Sequence, residues 1–591
     1  MARRRLIEVA LPAAIAVTPV AVGAVKDWSD RSRIWLWGDQ ALIDIEARST
    51  LAGHNLLGVY DRYGWHHLGP LWLFVLGVAR WLGGGSAVAT GLGFYFLQAL
   101  ATVAIVVVAY RLRHGATAWW AALVLVAYAW SFGLERLGTI WAPYAVALPT
   151  ALLVMLVADI AVSRDPWPPT IAAAVCATFL CQTDVSTVVL VVVLVVSSPF
   201  LRVATRATVG ADRPGGRART STARGWGWGT AHWPSRVATL VALLVVLWLP
   251  TLVQQLSTRP GNLVQAYRFL STHHAVRTLA VSLRAADTLF GLFPFRLDEG
   301  VANHDAVPRW LVAHSIWDHP WYLLYLAGIV TVGVFAARHR KLPALALSAA
   351  TAVAILGAGW SILLVYGPLY PYLVLWTGAL VIPAWVAVWL AVAPAAAPAP
   401  GEGAAEAWRN GELGARPLLV PVASVVVATA VCAGFAGAVT PLTDGSARMA
   451  RSSWSAVAGP ALAPDVKTVF VEIGSQNAMP EAAAIADQII RHHRRVEINR
   501  NALYYLDPSF APRRKAQLRV VVCCTLGTST ALGRGLDFRG LVGDQRIYTL
   551  VAGAKMRRAK PAHPQPAPGV GRSRFPGYVI GGVGGRLTHS L

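Results

Sequence analysis

The sequence predicts a polytopic α-helical membrane protein with about eleven spans and a small exported α/β domain at its C-terminal end. Long apolar runs recur through the first three quarters of the 591 residues. Mean hydropathy is +0.51, and only 14% of the residues are charged. A soluble protein of this length needs more charged surface, whereas apolar runs of about 20 residues match the thickness of a bilayer.

The spans follow from the apolar windows taken together with the positions of arginine. Arg3, Arg4 and Arg5 predict a cytoplasmic N-terminus, because basic residues favour the cytoplasmic side. Residues 26–85 then form an outer loop, and its apolar part, Leu68–Leu82, is expected at the outer interface. The predicted spans are 6–25, 87–110, 116–133, 141–162, a hairpin within 170–201 with its tip outside, 237–256, 320–336, two spans flanking Tyr366–Tyr372, and 418–438.

The basic charge predicts membrane topology and not nucleic-acid binding. The formal net charge is +23, but most arginines lie in short loops between apolar runs. Loop 202–236 alone has seven arginines against one aspartate, so we expect it in the cytoplasm beside membrane lipids. The sequence contains no RNA- or DNA-reading motif, and no nucleic-acid partner is expected.

The last quarter of the chain has a different pattern. Short apolar runs alternate with an amphipathic segment, which is typical of a small α/β domain. The expected elements are the strands Val466–Ile473, Leu518–Cys524 and Arg546–Val551 and the helix Pro480–His493. The chain is thus divided into a transmembrane part (1–440), an extracytoplasmic domain (441–554) and a disordered basic tail (555–591) rich in Arg, Pro and Gly.

Polar and ionisable residues collect in the segments predicted on the outer face. Such groups are costly near a membrane and are usually functional. The candidate site residues are Asp39, Arg62, His66, His67, Glu135, Arg136, Gln182, Asp184 and Asn262.

Three features of this layout resemble the GT-C membrane glycosyltransferases, in particular the protein mannosyltransferase-like and lipid A aminoarabinose transferase-like branch. The first is an acid early in the first outer loop, Gly38-Asp39-Gln40, followed by the segment Tyr63–Trp72, where the family often has a His-Pro-Pro-Leu-Tyr-like run. The second is Gln182-x-Asp184, where relatives often have Gln-x-His. The third is the exported C-terminal domain, as in actinobacterial arabinosyl- and mannosyltransferases of the cell envelope. The chain departs from the pattern in lacking a second acid beside Asp39 and in having Asp at position 184.

The resemblance implies transfer of a sugar from a polyprenyl-phosphate donor to a cell-envelope glycan, lipid or protein, with inversion at the anomeric carbon. Asp39 would be the general base, and Arg62, His66 and Arg136 would bind the phosphate. Asp184 or Glu135 would bind the acceptor, and the neighbouring polar residues His67, Gln182 and Asn262 would complete the substrate site. Arabinose or mannose is the expected sugar. No metal or cofactor is expected besides the lipid-phosphate sugar, which is a co-substrate.

The sequence is also compatible with other roles for these residues and other functions for the protein. Asp39 could be a helix cap, Glu135 and Arg136 an interfacial ion pair, and Asp184 a turn residue. The chain could also be a non-catalytic assembly protein of the envelope, or a transporter or flippase for a lipid-linked glycan. The transporter alternative predicts duplicated halves, and the sequence has no internal repeat.

Overall fold

The structure is a computed structural model. It describes residues 2–61, 63–210, 233–273, 279, 282, 321–367, 371–393, 416–436 and, with short gaps, 445–551. Arg62, the loop 211–232, the linker 394–415 and the predicted tail 555–591 lie outside the described residues.

Long apolar helices dominate the structure, and each predicted span coincides with one. The helices that correspond to spans are α1 (Ala2–Ser29), α4 (Ala87–Leu112), α5 (Ala116–Phe132), α8 (Ala147–Val162), α9 (Trp167–Thr183), α10 (Val188–Gly210), α11 (Trp233–Ser257), α13 (Trp321–Arg338), α14 (Leu342–Leu364), α15 (Val381–Val392, preceded by the 3₁₀ turns of Pro371–Leu380) and α16 (Arg416–Ala436). Among the described residues, eight helices are long and apolar enough to cross a membrane. The chain is a multi-pass membrane protein, and the number of crossings stays a prediction.

The hairpin predicted within 170–201 shows how local sequence sets an element. Pro168 lies in the first turn of α9, where proline fits a helix start. The helix ends at Thr183, and the next residue, Asp184, has an extended backbone and a carboxylate that accepts a hydrogen bond from Ser186 N at 2.9 Å. The chain then turns back into α10. Aspartate at this position therefore caps the turn.

Small residues bring the central helices close together. Ala151 and Ala158 on α8 and Ala350 and Ala354 on α14 are fully buried in the bundle. Their short side chains let helix backbones approach, which is the usual basis of helix packing in membranes.

Shorter helices complete the membrane part. They are α2 (Asp39–Leu51), α3 (Leu71–Leu82), α6 (Leu134–Gly138), α7 (Ala142–Ala145) and α12 (Asn262–Thr272). The segment expected at the interface, Leu68–Leu82, contains α3. Twelve residues of helix extend about 18 Å, which is less than the hydrocarbon core of about 30 Å.

The first loop, the hairpin tip and the end of α11 meet on one face of the bundle. Val185 N donates to His67 Nδ1 at 3.2 Å, and Thr251 Oγ1 donates to Leu68 O at 3.0 Å. Gly69 lies so close to the helices that a Cβ there would clash with Gln182 Oε1. The face thus gathers the first loop, the hairpin tip and the ends of several spans. Which side of the membrane this face occupies stays a prediction.

Basic residues close helix ends on the opposite face. Arg202 and Arg206 each donate to Ser163 O, at 3.0 and 2.8 Å, just after the C-terminal end of α8. Lys341 Nζ donates to Ala393 O at 3.2 Å, just after the end of α15. Cations at helix C-termini satisfy unpaired carbonyl groups and offset the helix dipole.

The C-terminal domain is a small sheet packed against helices. Its described elements are α17 (Gly445–Ala461), β1 (Thr468–Ile473), α18 (Met479–Arg491), β2 (Arg495–Ile498), β3 (Leu518–Cys523), β4 (Asp537–Val542) and β5 (Gln545–Val551). The strand order is β2-β1-β3-β5-β4, with β1 parallel to β2 and β3 and the other pairs antiparallel. The predicted α/β class is confirmed. The strands β2 and β4 were not predicted, and the domain boundaries at 440 and 554 stay predictions.

A buried charge cluster joins this domain to the first loop. Asp44 of α2 accepts from Arg80 Nε at 2.9 Å and from Arg491 Nη2 at 2.8 Å, and its side chain is fully buried. Arg491 also donates to Asp487 at 2.7 Å. Arg48 donates to Ile490 O at 3.2 Å. The domain is therefore docked on α2 by paired charges.

Candidate active site

A cavity of about 480 Å³ lies on the face that carries the C-terminal domain. The first loop, the hairpin tip, α12 and the ends of α14 and of the Pro371–Leu380 segment enclose it. Its polar lining is Asp39, Tyr60, Asp61, His67, Asp184, Ser186, His273 and Ser361. Its aromatic lining is Tyr63, Trp65, Trp141, Phe269, Tyr366 and Tyr372, and its aliphatic lining includes Val188, Val189, Leu363, Leu364 and Leu373.

Asp39 is the first residue of α2. The preceding Gly38 has a positive φ of 56°, which glycine tolerates readily, and its N–H donates to Pro480 O of the C-terminal domain at 3.3 Å. The helix N-terminus favours a negative charge at this position. Tyr60 Oη donates to Asp39 Oδ1 at 2.6 Å. Burial raises the pKa of Tyr60 well above its usual value, and the neighbouring Asp39 charge raises it further. Tyr60 therefore keeps the proton that it donates in this hydrogen bond.

Asp184 and His67 lie together at the hairpin tip. Asp184 is 4% exposed, and its carboxylate both caps the turn and lines the cavity. Because Val185 N donates to His67 Nδ1, the neutral imidazole carries its proton on Nε2. Ser186 accepts from Trp376 Nε1 at 2.9 Å, which fixes the tip against the 371–380 segment.

Stacked rings form one wall of the cavity. Tyr63 stacks on Phe269 with centroids 4.7 Å apart, and Phe269 stacks on His273 at 4.4 Å. Tyr63 Oη donates to Tyr366 O at 2.8 Å, which joins the first loop to the end of α14. Aromatic rings present apolar faces with polar edges and suit a ligand that combines a sugar with a lipid.

Three predicted site residues bind the backbone of neighbouring segments. Asn262 Oδ1 accepts from His66 N at 2.8 Å, and Asn262 Nδ2 donates to His66 O at 2.8 Å. His66 Nδ1 lies 3.0 Å from Gly58 O. Gln182 Oε1 accepts from Leu71 N at 3.2 Å, and Gln182 Nε2 donates to Leu247 O at 2.9 Å. These contacts hold the first loop against α9, α11 and α12, and the substrate-binding roles of the three residues stay predictions.

The predicted phosphate ligands are not brought together in the described residues. Arg136 is 2% exposed, and its Nη1 donates to Phe132 O at 2.7 Å without lining the cavity. Arg62 lies outside the described residues, between Asp61 and Tyr63, which both line the cavity. Glu135 belongs to α6, and its side chain also lies outside what the structure describes. Among the described lining residues there is no lysine or arginine.

Tyr60 is the site residue that sequence reasoning missed. Its hydroxyl reaches Asp39 because the chain folds back between Tyr60 and His66, which form an isolated antiparallel bridge. Neither residue stands in a recognisable strand pattern. No signal in the sequence points to Tyr60 as the partner of Asp39.

The fold of the chain is similar to that of ArnT from Cupriavidus metallidurans. The crystal structure of ArnT bound to undecaprenyl phosphate matches with a TM-score of 0.52 and 15% identity, over 90% of this chain and 98% of that one. This likeness confirms the predicted GT-C-type fold. The apo ArnT structure matches with a TM-score of 0.46 and 15% identity, over 90% and 97% of the two chains. The Archaeoglobus fulgidus oligosaccharyltransferase in complex with Zn and sulfate matches with a TM-score of 0.40 and 11% identity, over 86% and 67%. No protein-family model and no curated protein match the sequence.

Proposed function

We propose that the protein is a membrane glycosyltransferase that moves a sugar from a polyprenyl-phosphate donor to a cell-envelope acceptor. The observation that carries the proposal is the Asp39 carboxylate in a cavity that combines polar side chains with aromatic and aliphatic walls. Such a cavity suits a ligand with a polar head and an apolar chain. The similar ArnT structure was obtained with undecaprenyl phosphate bound, which supports the same class of lipid here.

The proposed reaction is a single displacement. An acceptor hydroxyl attacks the anomeric carbon and gives its proton to the Asp39 carboxylate, which acts as general base. The bond between the anomeric carbon and the phosphate oxygen breaks, and the polyprenyl phosphate leaves with the electron pair. Attack opposite the leaving group inverts the anomeric centre.

The remaining polar groups have proposed roles in binding. Arg62 is the proposed cation for the phosphate, because its sequence neighbours line the cavity and guanidinium groups bind phosphate oxygens in pairs. His67 adds an N–H donor at Nε2. Asp184 is the proposed acceptor-binding residue, because a carboxylate accepts hydrogen bonds from hydroxyl groups.

The arrangement of the faces supports a proposed orientation. The cavity and the C-terminal domain would lie outside the cell, and the N-terminus and the basic face around Arg202, Arg206 and Lys341 would be cytoplasmic. Arabinose and mannose remain the first candidates for the sugar, with a glycan, lipid or protein of the envelope as acceptor.

The proposal is tested by replacing Asp39 with Asn in protein reconstituted in lipid nanodiscs. A panel of radiolabelled polyprenyl-phosphate sugars is supplied with a membrane extract as acceptor, and release of polyprenyl phosphate is measured. The variant is expected to lose transfer by a factor of at least about 100, because the general base is removed. Asp165→Asn is the matched control, because Asp165 is 55% exposed on the opposite face and pairs with Arg236. Full activity of the Asp39→Asn variant would refute the base assignment and favour a non-catalytic assembly role.

A further inference from the structure

The hydrogen-bond partner of Asp39 is itself in contact with the C-terminal domain. The ring of Tyr60 meets the ring of Tyr505 edge to face, with centroids 5.1 Å apart and an interplanar angle of 81°. Tyr505 is 3% exposed. A chain of two side chains therefore leads from the C-terminal domain to the proposed base.

Further contacts from the same domain fix the helix that carries Asp39. Pro480 O accepts from Gly38 N at the start of α2, and Ile490 O accepts from Arg48 in its last turn. Arg491 binds Asp44 between these two points. The domain thus holds α2 at its beginning, middle and end.

We propose that the C-terminal domain is part of the catalytic apparatus, with Tyr505 holding Tyr60 and Tyr60 fixing the Asp39 carboxylate for proton transfer. The inference rests on the proposed function and deepens it. Tyr60 and Tyr505 are positioning residues, since they act through Asp39. The domain then has a role in the chemical step beyond any binding of acceptor.

Two physical effects follow from the Tyr60 hydrogen bond. It fixes the rotation of the carboxylate, and a small misplacement of a catalytic group costs up to about 100-fold in rate. It also favours the charged form of the carboxylate, because a donor stabilises the anion. Asp61, His67 and Asp184 share the cavity, and Glu46 acts electrostatically on Tyr60. These groups stay in place when only the Tyr60 hydroxyl is removed.

The first test is Tyr60→Phe, which keeps the ring against Tyr505 and removes the hydroxyl. We expect kcat to fall about 10- to 100-fold while the donor KM changes less than about threefold, because binding groups are untouched. The acid limb of the pH–rate profile should move to higher pH, since the carboxylate loses a donor that favoured its charged form. Tyr110→Phe is the matched control, because Tyr110 Oη also donates to a carboxylate, Glu8, at 3.2 Å on the opposite face.

The second test concerns Tyr505. Tyr505→Phe keeps the ring and should retain activity within about twofold, whereas Tyr505→Leu should lower kcat to a similar extent as Tyr60→Phe. The double variant Tyr60→Phe/Tyr505→Leu should be little worse than either single variant, because both act through one carboxylate. Thermal unfolding of each variant separates loss of folding from loss of positioning.

The outcomes distinguish this inference from the proposed function. If Tyr60→Phe has the kcat and pH profile of the wild type while Asp39→Asn is inactive, the positioning role is refuted and the glycosyltransferase proposal stands. If Tyr505→Leu is fully active while Tyr60→Phe is impaired, the part assigned to the C-terminal domain is refuted and the role of Tyr60 stands. If Asp39→Asn is fully active, both proposals fail together.

Discussion

Helix α2 carries two carboxylates five residues apart, the half-buried Asp39 and the fully buried Asp44, and their surroundings are opposite in character. Asp39 faces the cavity and accepts from the hydroxyl of Tyr60. Asp44 faces α3, α4 and α18 and accepts from Arg80, Arg491 and Thr90. Two residues five positions apart on an α-helix lie about 140° apart around its axis, so the side chains of Asp39 and Asp44 leave α2 on different sides.

The two carboxylates of α2 have different roles, since Asp44 stabilises the structure and Asp39 is the proposed catalytic base. Two guanidinium groups compensate the Asp44 charge and lower its pKa in spite of burial, so this carboxylate is a fixed charge that binds two domains. Tyr60 donates to Asp39 from a hydroxyl that keeps its proton, so this hydrogen bond orients the carboxylate without itself supplying a positive charge. A fixed charge is useful for docking, and an oriented carboxylate at a cavity is useful for taking a proton.

The largest effect on stability is expected for Asp44→Asn. The change leaves three neighbouring cations, Arg48, Arg80 and Arg491, with Asp487 as their carboxylate. Breaking a buried pair in this way costs about 3–5 kcal/mol, so the thermal midpoint in nanodiscs should fall strongly. Asp39→Asn should leave the midpoint nearly unchanged. Equal midpoints for the two variants would contradict the proposed difference between Asp39 and Asp44.

A smaller effect is expected from the pH dependence of the cluster. Burial raises the pKa of Asp487 to about 7, because the attraction of Arg491 is smaller than the cost of burial and Asp44 repels a second charge. Between the ordinary value of 3.8 and 7, the folded protein holds a proton that the unfolded chain has lost, so this group's contribution to stability falls as pH rises through that window. The lowered pKa of Asp44 acts in the other direction and only below pH 3.8, where its contribution is lost as pH falls.

Asp487→Asn isolates this contribution. The variant should be a few degrees more stable than the wild type at pH 8, and its thermal midpoint should decline less between pH 5 and pH 8. Thermal unfolding across that range measures both. If the thermal midpoint of the variant depends on pH as it does in the wild type, the pH dependence comes from another group.

The smallest effect is expected at an exposed pair. Arg236 Nη1 lies 3.1 Å from Asp165 Oδ1, with the two side chains 36% and 55% exposed. Exposed pairs contribute less than about 1 kcal/mol, so Asp165→Asn should shift the midpoint by a degree or two at most. A large fall in the midpoint of Asp165→Asn would show that burial is not what makes the Asp44 cluster more important for stability than an exposed pair.

The positions of the apolar helices could be predicted because they depend on local signals. Apolar windows are visible in about 20 residues, whereas the side of the membrane on which each loop lies stays a prediction. The strand Arg495–Ile498 was missed because four residues with charges at alternate positions give no apolar run. Helix α2 was treated as part of a loop because its apolar and charged residues are mixed.

The site was harder to predict, since its contacts join residues far apart in the chain. Asp39 and Asp184 were both named as candidates, and the structure brings them to one cavity. Arg491 binds Asp44 and Tyr505 contacts Tyr60 from more than 400 residues away, and no spacing rule links either pair. Arg136 is predicted to bind the phosphate from its expected place on the outer face and its forked guanidinium group, and in the structure this group donates to the carbonyl of Phe132 without lining the cavity.

The basic residues of the opposite face have a consequence for how the chain tolerates change. Arg202, Arg206 and Lys341 end up as donors to the carbonyl groups that follow α8 and α15. In the proposed orientation, the same charges first retain their loops in the cytoplasm during synthesis and then fasten neighbouring helices in the finished bundle. A substitution that preserves charge but shortens reach, such as Arg202→Lys, would keep the insertion signal and weaken the fastening. Topology and assembly can therefore be separated by changing the length of a side chain without changing its sign.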